Sequence, residues 1–180
     1  DDGAPMRNLD VTIITGMSGA GRSEAIHTFE DLGYFCIDNL PPGFIPQLTD
    51  LVGLPGSRVR RLAVVCDVRG GEFFEQLAAE LDRLHERGVD HRVLFLEADD
   101  SVILNRFKET RRRHPFCDEG LGLAESIESE RTALRPIRER ADVIVDTSGM
   151  RPAELRRRIR DEIASADSGE ALSVARCGLT

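Results

Sequence analysis

Eight residues near the start of the chain, GMSGAGRS at 16–23, bring together three glycines, a guanidinium and two hydroxyls. Gly16, Gly19 and Gly21 let successive backbone N–H groups curl around one point, and a following helix adds the positive end of its dipole. An anion of phosphate type suits that arrangement. Arg22 supplies charge where such a loop normally carries a lysine, and the Ser23 hydroxyl is placed to ligate Mg2+. The pattern G-x-x-x-x-G-[K/R]-[ST] also takes in Met17, Ser18 and Ala20. The expected phosphate-binding run is therefore Gly16, Met17, Ser18, Gly19, Ala20, Gly21, Arg22 and Ser23. A planar guanidinium is bulkier than an ammonium, so binding should survive while turnover is slow.

Charged residues further along could complete the chemistry. Asp67 follows the apolar run LAVVC and is expected to hold the metal through water, together with Ser23. DVRG then brings Val68, Arg69 and Gly70 close to a bound nucleotide. Asp38 ends another apolar run, where it could take a proton from a substrate hydroxyl as a small-molecule kinase requires. The competing role for Asp38 is to cap the turn before Pro41 and Pro42. The segment NRFKETRRRHP (105–115) gathers Arg106, Arg111, Arg112 and Arg113. Arg106 and Arg113 share a helix face and fit a lid that neutralises charge on a transferring phosphoryl group, with Phe107 and Ile103 packing the other side. A solvated charged helix is the plainer alternative. The candidate catalytic set is thus Arg22, Asp67, Arg106, Arg113 and Asp38. His114 could contact a ligand or cap a loop, and Asp146 could lie near a base or cap a helix.

These groups need a scaffold that carries them to one edge. Apolar runs at 11–15, 34–38, 61–68, 91–98 and 142–148 read as strands. Helical patterns fill 22–32, 43–52, 72–87, 101–113, a stretch ending near 140, and 152–164. Phe73, Leu77, Leu81 and Leu84 define the buried stripe of the third helix. Alternating strands and helices predict an α/β fold of the P-loop NTPase, kinase-like type: a five-stranded parallel sheet with helices on both faces. Residues 1–10 read as a disordered leader, 11–164 as one nucleotide-binding domain, and 165–180 as a linker or the truncated start of a further domain.

Composition narrows the class. The chain has 180 residues and a formal net charge of -8, which disfavours nonspecific nucleic-acid binding over the whole surface. Lys108 is the only lysine, so an arginine at any one position carries less meaning. Cys36, Cys66, Cys117 and Cys177 show neither metal-site spacing nor a disulfide framework. No apolar run approaches the ~20 residues of a membrane span, and a cytoplasmic setting is the default expectation.

Several long phrases in order carry a likeness. GMSGAGRSEAIHTFEDLGYFCIDNLPP, DVRG, LFLEADDSVILNRFKETRRRHP and RERADVIVDTSG together resemble the RapZ/YvcJ family of bacterial nucleotide-binding proteins, from about 11 to 160. The resemblance implies an N-terminal domain that binds ATP and GTP and hydrolyses them slowly. Residues 16–23 would be the ATP segment and 67–70 the segment assigned to GTP. It also implies a C-terminal domain that, in enterobacterial members, senses an amino-sugar phosphate and adapts a small RNA to a ribonuclease. Three functions follow as expectations: a nucleotide-binding regulatory domain with slow hydrolysis, a small-molecule kinase, and a non-enzymatic RNA or protein adapter. The sequence leaves the oligomeric state open, a homo-oligomer included.

Overall fold

A computed structural model describes residues 9–66, 71–110, 114–115 and 122–177. Five strands form one sheet: β1 (Asp10–Gly16), β2 (Phe35–Leu40), β3 (Arg61–Cys66), β4 (His91–Glu97) and β5 (Val143–Asp146). Their order is β2-β3-β1-β4-β5, and every neighbouring pair is parallel. The helices are α1 (Arg22–Asp31), α2 (Ile45–Val52), α3 (Gly71–Glu86), α4 (Asp100–Thr110), α5 (Leu123–Glu139) and α6 (Pro152–Cys177). The parallel α/β sheet expected from the sequence is the fold observed.

Strand order decides which face each helix covers. The crossover from β1 to β2 runs one way along the sheet, whereas β2 to β3, β3 to β4 and β4 to β5 run the other way. Right-handed crossovers therefore place α1 on one face and α2 to α5 on the opposite face. The contacts agree: α1 packs with α6, while α3 packs with α2 and α5, and α4 with α5. Covered on both sides, β1, β3 and β4 are almost wholly buried, which is why they read as unbroken apolar runs. The edge strand β2 is only partly covered.

Element ends are set locally. Gly33 stops α1, with the Tyr34 N–H donating back to Phe29 O at 3.0 Å. The helix expected over 43–52 is split, because Pro42–Phe44 makes a 3-10 turn before α2 begins at Ile45. On α3 the buried stripe is Phe74, Leu77, Leu81 and Leu84, so Phe74 rather than Phe73 faces the core. Strand β1 starts at Asp10, inside the expected leader. Helix α6 runs to Cys177, past the expected stop at 164, because the added stretch contains alanine, glutamate and leucine and no proline. Asp67, Val68, Arg69, Gly70, Arg111, Arg112, Arg113 and Cys117 lie outside the described residues.

The loop of interest leaves the centre of the sheet. Gly16 pairs with Leu96 on β4, and Met17 N–H still donates to Leu96 O at 2.9 Å. This approach is so close that a Cβ on Gly16 would lie 2.1 Å from Leu96 O, at a φ of +140°. Replacement with alanine therefore combines a backbone clash with a disfavoured dihedral. Gly16→Ala is expected to lose more than about 3 kcal/mol of stability, or not to fold, as read from the urea unfolding midpoint.

Candidate functional site

The 16–23 loop bridges the carboxyl end of the central strand β1 and the first turn of α1, at the edge where open parallel sheets place their ligands. Its backbone is polarised. On one side the carbonyls find donors: Met17 O accepts Ala20 N–H at 3.1 Å, and Gly21 O accepts Ala25 N–H at 3.0 Å. Gly19 O accepts Arg106 Nη1 at 2.7 Å, and Ala20 O accepts the Thr147 hydroxyl at 2.8 Å. On the other side, the N–H groups of Gly19, Gly21, Arg22, Ser23 and Glu24 have no acceptor among the described residues. Those residues line a cavity of about 400 Å³ together with Ser18, Arg106, Phe107, Thr110 and Pro115.

Glycine at 19 is required by this arrangement. Its φ is +83°, and an added Cβ would sit 3.2 Å from the Phe107 ring. The α4 face that carries Phe107 and Ile103 is buried, as the helical spacing predicted. Phe107 in turn stacks at a tilt on His114, with ring centroids 5.0 Å apart.

The expected residues divide into groups. Gly16, Met17, Ser18, Gly19, Ala20, Gly21, Arg22 and Ser23 form the continuous loop, although Met17 and Ala20 are buried beneath it as packing residues. Ser23 is exposed and Arg22 half-buried at the cavity wall, where Arg22 Nη2 reaches Ser18 Oγ only at 3.5 Å. Arg106 lines the cavity too, yet its guanidinium is also engaged with Thr147, donating to Oγ1 at 3.2 Å and to the carbonyl at 3.0 Å. It acts as a strut behind the loop. Asp38 is exposed near the end of β2 and accepts the Asn39 N–H at 2.8 Å, away from the residues that line the cavity. Asp67, Val68, Arg69, Gly70 and Arg113 are outside the described residues.

His114 is buried within the protein, not set on a ligand-facing surface. Asp146 caps a turn and not a helix, since α6 starts only at Pro152: its carboxylate accepts Ser148 N–H at 2.9 Å, and Ser148 Oγ receives Asp99 N–H at 2.8 Å, tying the ends of β4 and β5 together. Hydrogen bonds donated to it by Ser148, first from the backbone N–H and then from the hydroxyl, hold the Asp146 carboxyl below the usual carboxylate range.

The roles of two residues escaped sequence reading. Thr147, only 1% exposed, follows β5 and supports both Ala20 O and Arg106. Glu130 on α5 is equally buried and accepts two bonds from Ser18, the N–H at 2.7 Å and the hydroxyl at 2.6 Å. Glu130 sits in no motif, and Thr147 falls within the phrase RERADVIVDTSG without any pattern that assigns it this support. For Glu130 the one available signal was a charged residue on the same helical face as Ile127, Leu134 and Ile137, which are all buried.

Thr147→Val removes the donor to a buried carbonyl while keeping the shape, and is expected to cost about 1–3 kcal/mol in urea unfolding. Asp146→Asn tests the turn. A depressed carboxylate stabilises above its unfolded value of about 3.9 and loses that contribution as pH falls through the folded value. Because Asp146 is exposed, the variant should be weaker at neutral pH by only about 0.5 kcal/mol. Its unfolding midpoint should converge with the parent's in acid.

Comparison with known proteins places this loop in context. A nucleotide-binding protein of Bacillus licheniformis is 46% identical over 168 residues, covering 93% of this chain and 56% of the relative. The nucleotide-binding protein YvcJ of Bacillus subtilis is 45% identical over 168 residues, with the same coverage. The chain thus spans little more than half the length of these relatives. Among solved structures, a gluconokinase from Sinorhizobium meliloti superposes with a TM-score of 0.57 at 19% identity, covering 93% of this chain and 98% of that one. A shikimate kinase from Acinetobacter baumannii, in complex with shikimate, gives 0.57 at 18% identity, covering 90% and 98%. These two show a shared kinase-like P-loop fold. Residues 9–167 match the profile of the RapZ-like N-terminal domain, and the chain belongs to that family.

Proposed function

We propose that this chain is a nucleoside-triphosphate-binding domain that seats phosphates on residues 16–23. The observation that carries the reading is the loop's asymmetry: its carbonyls are bonded, while five N–H groups without an acceptor among the described residues belong to residues that line a cavity at the start of α1. Such a run of donors at a helix N-terminus suits the oxygens of a polyphosphate. Arg22 adds a fixed positive charge, and the names of the curated relatives support the same ligand class.

ATP and GTP are the ligands proposed, with Mg2+. Ser23 is free to offer its hydroxyl to the ion. Among the described residues no three His, Cys, Asp or Glu side chains cluster to hold a metal. Phosphate oxygens and water would supply the other ligands, with Asp67 holding the ion through one of the waters, as Mg2+ commonly keeps several. Bound Mg2+ would neutralise phosphate charge; the chain's own part is to hold and orient the phosphates. Slow hydrolysis is the activity proposed, because Arg106 is already engaged behind the loop and is poorly free to follow charge developing on a phosphoryl group. In the full-length protein this domain would be the nucleotide-dependent regulatory half of an RNA or ribonuclease adapter.

One observation favours a second reading, a small-molecule kinase. Asp38 presents an exposed carboxylate near the carboxyl end of β2, on the same edge of the parallel sheet as the loop. A hydroxyl acceptor would then raise nucleotide turnover well above the rate with water.

Titration calorimetry with ATP and GTP in Mg2+ checks the first reading. Binding is expected for the parent, and Arg22→Ala should weaken it about tenfold or more. Absence of binding at about 1 mM nucleotide would sink the proposal. Turnover measured with and without a panel of hydroxyl metabolites separates the two readings, since only a kinase responds to an acceptor.

A further inference from the structure

The loop is fastened by a group that the nucleotide reading does not itself require. Glu130 lies 112 residues from Ser18 in the chain, yet both of its oxygens accept from that one residue. Its side chain is 1% exposed. Withdrawing a carboxylate from water is unfavourable unless well-formed hydrogen bonds replace hydration, and an apolar side chain could fill such a space at less cost. What an apolar residue cannot do is fix the direction of one peptide N–H. Here the bond orients the Ser18 peptide, the point where the chain turns from β1 into the glycine curl.

The carboxylate is itself held in place. Next to it on α5, Arg131 donates to Ala98 O at 2.6 Å and to Asp100 Oδ1 at 2.6 Å and 3.0 Å. Two turns later, Arg138 grips Glu97 at 2.8 Å and 3.1 Å. Helix α5 is thus pinned to the end of β4 and the start of α4. From the opposite side, His114 Nε2 stands 3.7 Å from Glu130 Oε1, and the His114 ring rests on Phe107, which fills the space left by Gly19. Ser18, Glu130, His114, Phe107 and Gly19 close a circuit around the loop.

We propose that Glu130 is a positioning residue for the 16–23 loop: its buried carboxylate fixes the Ser18 peptide so that the loop is curled for phosphate before a ligand arrives. The proposal rests on the nucleotide reading above. Two consequences distinguish it from simple packing. The curl should persist in ligand-free protein, and geometry rather than charge should matter.

Three variants test it: Glu130→Ala, Glu130→Gln and Ser18→Ala. Glutamine keeps an acceptor for the Ser18 N–H and offers an amide to the hydroxyl, which can rotate to accept. Amide exchange in ligand-free protein reports the curl through Ala20 N–H, whose acceptor is Met17 O within the loop. In Glu130→Ala, Ala20 exchange is expected to rise about tenfold while β1 amides stay protected, and the ATP–Mg dissociation constant should rise about tenfold. Glu130→Gln should return both close to the parent, and Ser18→Ala, which keeps the N–H bond, should fall between. Parent-like exchange and affinity in a folded Glu130→Ala would overturn the proposal. So would a glutamine variant no better than alanine, or equal deprotection of the whole sheet. If Glu130→Ala does not fold, parent-like exchange and affinity in Ser18→Ala overturns it instead. A parent that binds no nucleotide removes the nucleotide reading alone, because the exchange measurement needs no ligand and still decides the positioning claim.

Discussion

A loop that leaves a run of N–H groups open to a ligand has to be held by its carbonyls. Without a firm attachment on the carbonyl side, the peptides from Gly19 to Ser23 could turn and satisfy one another, and the donors would be lost to internal bonds. Here the attachment is distributed. Arg106 from α4 takes Gly19 O, Thr147 from the end of β5 takes Ala20 O, and the first bond of α1 takes Gly21 O. Each support arrives from a different element, so the loop depends on the sheet, on α4 and on β5 being correctly assembled. Folding of the domain and formation of the phosphate cradle are in that sense one event.

The strand order makes such convergence possible. With β1 central, its carboxyl end is flanked by the ends of β3 and β4. The kinase-like fold shared with the gluconokinase and the shikimate kinase is this scaffold. At below 20% identity those structures speak for architecture, and the identity of any acceptor rests on this chain's own residues.

The sequence discloses the donors of the site far better than their supports. Gly16, Gly19, Gly21, Arg22 and Ser23 fall within eight consecutive residues, and an apolar run before them with a helical pattern after them fixes their setting. The five strands were legible for the same reason, since burial on both faces leaves unbroken apolar runs. Glu130 and Thr147 were not legible, because they meet the loop across 112 and 127 residues and no local pattern encodes such a contact. Arg106 was recognisable as a residue of interest, but a residue's type does not say whether its fork points to ligand or to backbone. Phe73 and Phe74 are adjacent and equally apolar, so one residue of helical phase, about 100° of rotation, decided between them.

The edge of the sheet has its own consequence. Strand β2 is an outer strand, and Phe35 on it is 53% exposed, a combination that invites pairing with another chain. Its geometry works against that. The pairing with β3 slips between Ile37 and Leu40, Asn39 adopts a left-handed φ of 57°, and Pro41 and Pro42 follow at once. An incoming strand could match only the first few residues before the hydrogen-bonding directions diverge and the prolines offer no donors. The irregularity that carries Asp38 thereby also acts as a guard against aggregation, limiting open-ended growth of the sheet at its exposed margin.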